Sequence, residues 1–142
     1  MPVPTHDPDQ NCLVWLNHLL LYVADVGRSL DFYEKKLGFV RIEGGGQQGY
    51  ARLRAPDGEA TLGLHRTNTN AAPSCHEGIR LYIEVEDLDN VCRRLEDQGV
   101  VFDQTPRDMP WGWRHAYLCD PDGHELSLYW AGGKRFEATP SL

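Results

Sequence analysis

The segment CDPDGHELSLYW at residues 119–130 repeats, in altered form, the segment APDGEATLGLH at residues 55–65. In both, a Pro-Asp-Gly turn leads into a run in which leucines alternate with other residues, the mark of a half-buried strand. The two turns lie 65 positions apart. That separation is too long for a solenoid period and fits two halves of one domain. Outward from each turn the chain keeps the same order. LVWLNHLLLYVAD runs into SLDFYEKKLG, where Leu30, Tyr33 and Leu37 recur at helical spacing before Gly38, and FVRIE, YARLRA and ATLGLH follow as short strands. GIRLYIEVED opens the second set. Asp87 is placed to cap a helix whose Leu88, Val91, Cys92 and Leu95 share one face, Gly99 ends it, and VVFDQ, RHAYLC and HELSLYW complete the series. The predicted fold class is α+β: two tandem βαβββ modules at about 13–66 and 78–130, joined by a polar linker at 67–76, in a single domain over 12–131, with 132–142 as a tail.

A chain of 142 residues suits one domain. Its hydrophobic share of 41% and charged share of 25% are those of an ordinary globular protein. A net charge of -7 argues against nucleic acid and anionic membranes as partners, since no basic stripe is available, and leaves cationic small molecules open. The longest apolar run, residues 13–23, is interrupted by Asn17 and His18 and is too short to span a bilayer. Cys12, Cys75, Cys92 and Cys119 form no Cys-x-x-Cys pair, and MPVPTHDPDQ lacks the basic and apolar segments of a signal peptide. Free thiols in a reducing cytoplasm are expected.

Strand alternation assigns faces. Ile79, Leu81, Ile83 and Val85 are expected to meet the helices, with Arg80, Tyr82 and Glu84 opposite; Leu126 and Leu128 likewise leave Glu125, Ser127 and Tyr129 opposite. In the first module Leu19, Leu21, Val23, Leu62 and Leu64 face the helix, while His18, Leu20, Tyr22, Thr61, Gly63 and His65 face away. The second face therefore collects His18, His65, Arg80, Tyr82, Glu84, Glu125, Ser127 and Tyr129, a set that suits a ligand pocket better than a core. Phe32, Tyr33 and Phe39 read as core fillers, GGGQQG as a flexible hairpin loop, and His115 and His124 as surface or turn residues; His6 and His76 have no partner that sequence identifies.

The stretches NHLLLYVADVGRSLDFYEKKLGF, IRLYIEVEDLDNVCRRLEDQGVVF and PWGWRHAYLCDPDGHELSLYW, in that order and spacing, resemble the vicinal oxygen chelate superfamily, which includes glyoxalase I, extradiol dioxygenases and bleomycin-resistance proteins. The resemblance implies a cupped, mixed eight-stranded sheet with helices on its outer face, usually in a homodimer. Metal-dependent members place a ligand on each of the first, fourth, fifth and eighth strands. The matching positions here are His18, Gly63, Arg80 and Ser127. Glycine has no donor, arginine is a fixed cation and serine a weak neutral ligand, so the family's usual metal site is expected to be absent and no cofactor is favoured. The alternative is a relocated site for iron, manganese, nickel or zinc at His18, His65 and Glu125, with His65 and Glu125 each shifted two residues along the correct face.

PWGWR at residues 110–114 turns the resemblance toward the bleomycin-resistance branch, which sequesters ligands without transforming them. Trp111 and Trp113 offer flat surfaces for stacking an aromatic or cationic ligand. The leading expectation is a metal-free binding protein for a small organic molecule, with Trp111, Trp113, Tyr82, Tyr129 and Ser127 as contacts and Arg80 and Glu84 as anchors. Arg80 favours a ligand with an anionic oxygen; if Glu84 or Glu125 satisfies the arginine internally, a cation such as a glycopeptide drug is favoured instead. The alternative is an enzyme, a dioxygenase, isomerase or lyase at the relocated metal site, or a metal-free acid–base catalyst using His18 or Glu125.

Overall fold

A computed structural model describes residues 14, 16–68, 78–134 and 137. The first module comprises β1 (His18–Val23), α1 (Val26–Leu30), a π-helical segment continuing it (Asp31–Lys36), β2 (Val40–Gly45), β3 (Tyr50–Arg54) and β4 (Thr61–Arg66). The second comprises β5 (Arg80–Glu84), α2 (Leu88–Asp97), β6 (Phe102–Asp108), β7 (Arg114–Cys119) and β8 (Glu125–Trp130). The expected pair of βαβββ modules is therefore present. Each forms a four-stranded mixed sheet, in the order β1-β4-β3-β2 and β5-β8-β7-β6. The first strand of each module pairs in parallel with the fourth, and the other pairs are antiparallel.

Both helices start on an aspartate. Asp25 accepts from the Arg28 backbone N–H at 3.1 Å, and Asp87 accepts from that of Asn90 at 3.4 Å. Both end before a glycine of positive φ, Gly38 at 85° and Gly99 at 89°. Between these matched landmarks the modules differ by one residue: thirteen positions separate Asp25 from Gly38, and twelve separate Asp87 from Gly99. The extra residue accounts for the π-helical segment, because a residue inserted into an α-helix is absorbed as a wider turn.

One buried cluster unites the two modules. Leu21, Val23, Leu30, Phe32, Tyr33, Leu62 and Leu64 from the first pack in the same core as Leu88, Cys92, Leu95, Leu118, Leu126 and Leu128 from the second. Ile79 departs from its expected inward position; it is 65% exposed because β5 begins one residue later, at Arg80. GGGQQG is also more ordered than expected: its first two glycines end β2 and Gly46–Gln48 form a 3-10 turn. Cys12, Cys75, His6, His76, most of the linker and most of the tail lie outside the described residues.

The second Pro-Asp-Gly turn joins the modules. Asp120, buried, accepts from the Tyr33 hydroxyl at 2.7 Å. Asp122 accepts from the Ala24 N–H at 2.8 Å and from Arg28 at 3.1 Å. The first turn keeps Asp57 and Gly58 exposed. The residues before the two turns are Ala55 and Asp120, so only the second copy carries the carboxylate that reaches Tyr33.

Candidate functional site

The inner face of the second sheet is arranged in rungs set by strand register. Arg80, Glu125 and Cys119 form one; Tyr82, Ser127, Tyr117 and Gln104 the next; Glu84, Tyr129, His115 and Arg107 the third. The residues expected on this face, Arg80, Tyr82, Glu84, Glu125, Ser127 and Tyr129, are thus brought together. Above the third rung, the loop between β6 and β7 adds Trp111 and Trp113. Trp113 lies nearly parallel to Tyr129, with ring centroids 5.1 Å apart and planes inclined by 12°, and nearly parallel to His115 at 6.1 Å. Trp111 stands edge-on to His115 at 5.4 Å and 76°. Both tryptophans are half-buried and Tyr82 is exposed, so the cluster presents aromatic surface to solvent.

His115, expected at the surface, is fully buried at the centre of this cluster. The Trp111 indole N–H, which can only donate, reaches His115 Nε2 at 3.2 Å; Nδ1 therefore carries the proton of the neutral ring and donates to Ser127 Oγ at 2.7 Å. Burial, and secondarily the charge of Arg80, push the imidazole below its ordinary range. The signal available in sequence was alternation: His115 lies one residue before Ala116 and two before Tyr117, on the face opposite the buried Ala116 and Leu118.

Arg80 has internal partners. Its guanidinium contacts Glu125 at 3.5 Å and lies 4.5 Å above the centre of the Tyr117 ring. The long ion pair is partly solvated, and the ring adds a cation–π contact. This is the arrangement in which the expected preference passes from anionic to cationic ligands.

On the first sheet a cleft of about 490 Å³ is lined by Asn17, His18, Glu43, Tyr50, Arg52, Glu59 and Thr61. His18 leans over Gly63, where a Cβ would lie 3.1 Å from its Nε2. His18 Nδ1 is hydrogen-bonded to Thr61 Oγ1 at 2.7 Å, and Arg52 is paired with Glu43 at 2.9 Å.

The residues do not fit the metal site of the family. At its four positions His18 leans over Gly63, Arg80 pairs with Glu125, and Ser127 is engaged by His115, so one ligand type remains where four are needed. Nor are His18 and His65 adjacent: His18 pairs with Thr61 and His65 with Tyr22, a separation of about 13 Å along the strands. His65 Nδ1 donates instead to the Arg66 carbonyl at 2.7 Å. Among the described residues, three metal-capable groups converge within 4.8 Å at Asp120, Asp122 and His124. There the carboxylates are already used by Tyr33, Ala24, Arg28 and the His124 ring. His124, expected at the surface, is a partly buried component of the joint between modules.

Paired βαβββ sheets sharing one core, each with a polar and aromatic inner face, define a class of two-module proteins. The chain belongs to the Glyoxalase/Bleomycin resistance protein/Dioxygenase superfamily, which its residues 15–128 match. It is 28% identical over 123 residues to a bleomycin resistance protein of Geobacillus stearothermophilus, covering 77% of this chain and 91% of that one, and equally to one of Staphylococcus aureus. Among solved structures, a superfamily member from Sphaerobacter thermophilus aligns with a TM-score of 0.69 at 24% identity, over 83% of this chain and 98% of the other. A lactoylglutathione lyase from Agrobacterium tumefaciens aligns with a TM-score of 0.67 at 16% identity, over 87% and 97%, a likeness of fold alone.

Proposed function

We propose that the protein binds and sequesters a flat aromatic small molecule bearing positive charge on the inner face of its second sheet, without a metal and without transforming the ligand. The observation that carries this reading is the stack of Trp113 on Tyr129 and His115 beside the edge-on Trp111, a rigid wall that offers contact area with little side-chain entropy left to lose. The engagement of Arg80 by Glu125 and Tyr117 and the net charge of -7 support a cation over an anion. Relatives called bleomycin resistance proteins support sequestration over chemistry.

The protein acts as a homodimer in the cytoplasm. Exposed Leu20 and Tyr22 on β1 and Tyr82 on β5, both edge strands, support a second copy as the cover for these edges. No helix among the described residues is long and apolar enough to cross a membrane.

Tryptophan fluorescence titration with 2-naphthylmethylammonium and 2-naphthoate tests the ligand class. Binding of the ammonium ion, with little binding of the acid and no loss of acid affinity in Arg80→Met, is the expected result. Acid binding weakened by about 1.5 to 3 kcal/mol in Arg80→Met would restore the arginine as an anion anchor and overturn the preference.

A further inference from the structure

The aromatic wall depends on a residue that does not itself present a surface. We propose that His115 is the positioning residue of this site: its neutral imidazole holds Trp111 edge-on and supports Trp113 face-on, and gaining a proton releases Trp111. This rests on the ligand reading above, to which it adds the device that sets the shape of the wall.

The hydrogen-bond chain has a fixed direction. The indole of Trp111 donates to Nε2 and Nδ1 donates to Ser127, so both ring nitrogens of His115 are committed, one as acceptor and one as donor. An imidazolium has two donors and no acceptor, and the Trp111 N–H would then face an N–H at 3.2 Å. The contact changes from attraction to repulsion on gain of one proton. Trp113 is held differently, by stacking and by an indole N–H directed to the Lys134 carbonyl at 3.4 Å, so it does not share this dependence.

The surroundings keep the ring neutral under ordinary conditions. The titratable and charged groups facing it are Arg80, Tyr82 and Glu84 from β5, Arg107 from β6, Tyr117 from β7 and Tyr129 from β8. Burial and Arg80 both oppose protonation, and the helices lie on the other side of the sheet. Release of Trp111 is therefore an acid-side event.

The test is the indole N–H resonance of Trp111 in the ligand-free protein, assigned against Trp111→Phe and followed as pH is lowered from 8. The expected result is an upfield shift of Trp111 with faster exchange in a single titration, while Trp113 stays in place. In His115→Gln, whose amide oxygen can still accept from the Trp111 indole, the titration should vanish and the resonance should stay at its neutral-pH position. In His115→Leu the resonance should sit at the released position at every pH, with affinity for 2-naphthylmethylammonium lowered about tenfold. A Trp111 resonance that holds its position down to the pH at which the fold is lost overturns the proposal, as does an unchanged affinity in a folded His115→Leu. Should His115→Leu not fold, the wild-type titration decides alone. If the indole titrates while Trp111→Phe and Trp113→Phe leave the affinity unchanged, the positioning role stands and the ligand reading fails.

Discussion

Tyr33 donates its hydroxyl to Asp120 Oδ2 across 2.7 Å, joining a π-helical segment of the first module to a turn of the second. Both residues are buried, so the carboxylate cannot recover the lost donor from water. Tyr33→Phe is expected to destabilise the fold by about 2 kcal/mol, read as a lower urea midpoint at unchanged slope. A change of less than about 0.5 kcal/mol would show that the Tyr33–Asp120 contact contributes nothing to stability.

The same joint predicts a two-sided pH dependence. For Asp120, burial raises the carboxyl, but the His124 and Tyr33 side-chain hydrogen bonds and the His124 charge outweigh it, so the folded value is depressed. Its stabilisation is present above the unfolded value, about 4, and lost as pH falls through the folded one. For His124, burial lowers the ring, but the hydrogen bond to Asp120 and the charges of Asp120 and Asp122 raise it on balance. Its stabilisation is present below the unfolded value, about 6.5, and lost as pH rises through the folded one. Thermal midpoints should peak between these limits, and His124→Gln should flatten the alkaline limb while sparing the Tyr33 contact. An alkaline limb unchanged in that variant would remove His124 as its source.

Elemental analysis of protein purified without a metal-affinity tag should find no stoichiometric divalent metal at neutral pH. The prediction follows from the donors at positions 18, 63, 80 and 127. Near-unit iron, manganese, nickel or zinc that survives dialysis and disappears in His18→Ala would contradict it.

Two glycines of similar backbone conformation should respond differently to alanine. Gly44 (φ 81°) would place a Cβ 2.1 Å from the Tyr50 carbonyl oxygen, whereas Gly58 (φ 86°) has nothing within 4 Å. Gly58→Ala should cost only the conformational penalty, about 1 kcal/mol, and Gly44→Ala at least about 3 kcal/mol because backbone must move. Equal midpoints in urea for the two variants would refute this reading of β2 and β3.

The repeat, the helix caps and most strand faces were legible in sequence because each rests on local chemistry. An aspartate before a helix, a glycine after it, and alternation along a strand need no knowledge of the other module. Ser127 and Tyr129 were placed correctly on the inner face by alternation alone. The Arg80–Glu125 pair was within reach because both residues fall on one strand face, but most other contacts between distant segments escaped. His115 reads as an ordinary strand residue until Trp111, Ser127 and Tyr129 close around it. His124 and Asp120 resemble turn residues until Tyr33 arrives from the other half of the chain. The π-helical segment was visible only as a count, one residue more between matched landmarks, and a count shows that something must bulge without showing where.

That one residue also bears on whether the halves are interchangeable parts. Counted from its capping aspartate, Tyr33 stands where Leu95 stands in the second module, and both are fully buried. Asp120 likewise stands where the first module has Ala55. The hydroxyl and the carboxylate that meet at the joint are thus each present in one copy and missing from the other. A chain assembled from two first modules would offer tyrosine to alanine, and one assembled from two second modules would bury an aspartate against leucine. The halves resemble each other in order and landmarks, yet neither half can stand in for the other, and the chain is committed to the order in which it carries them.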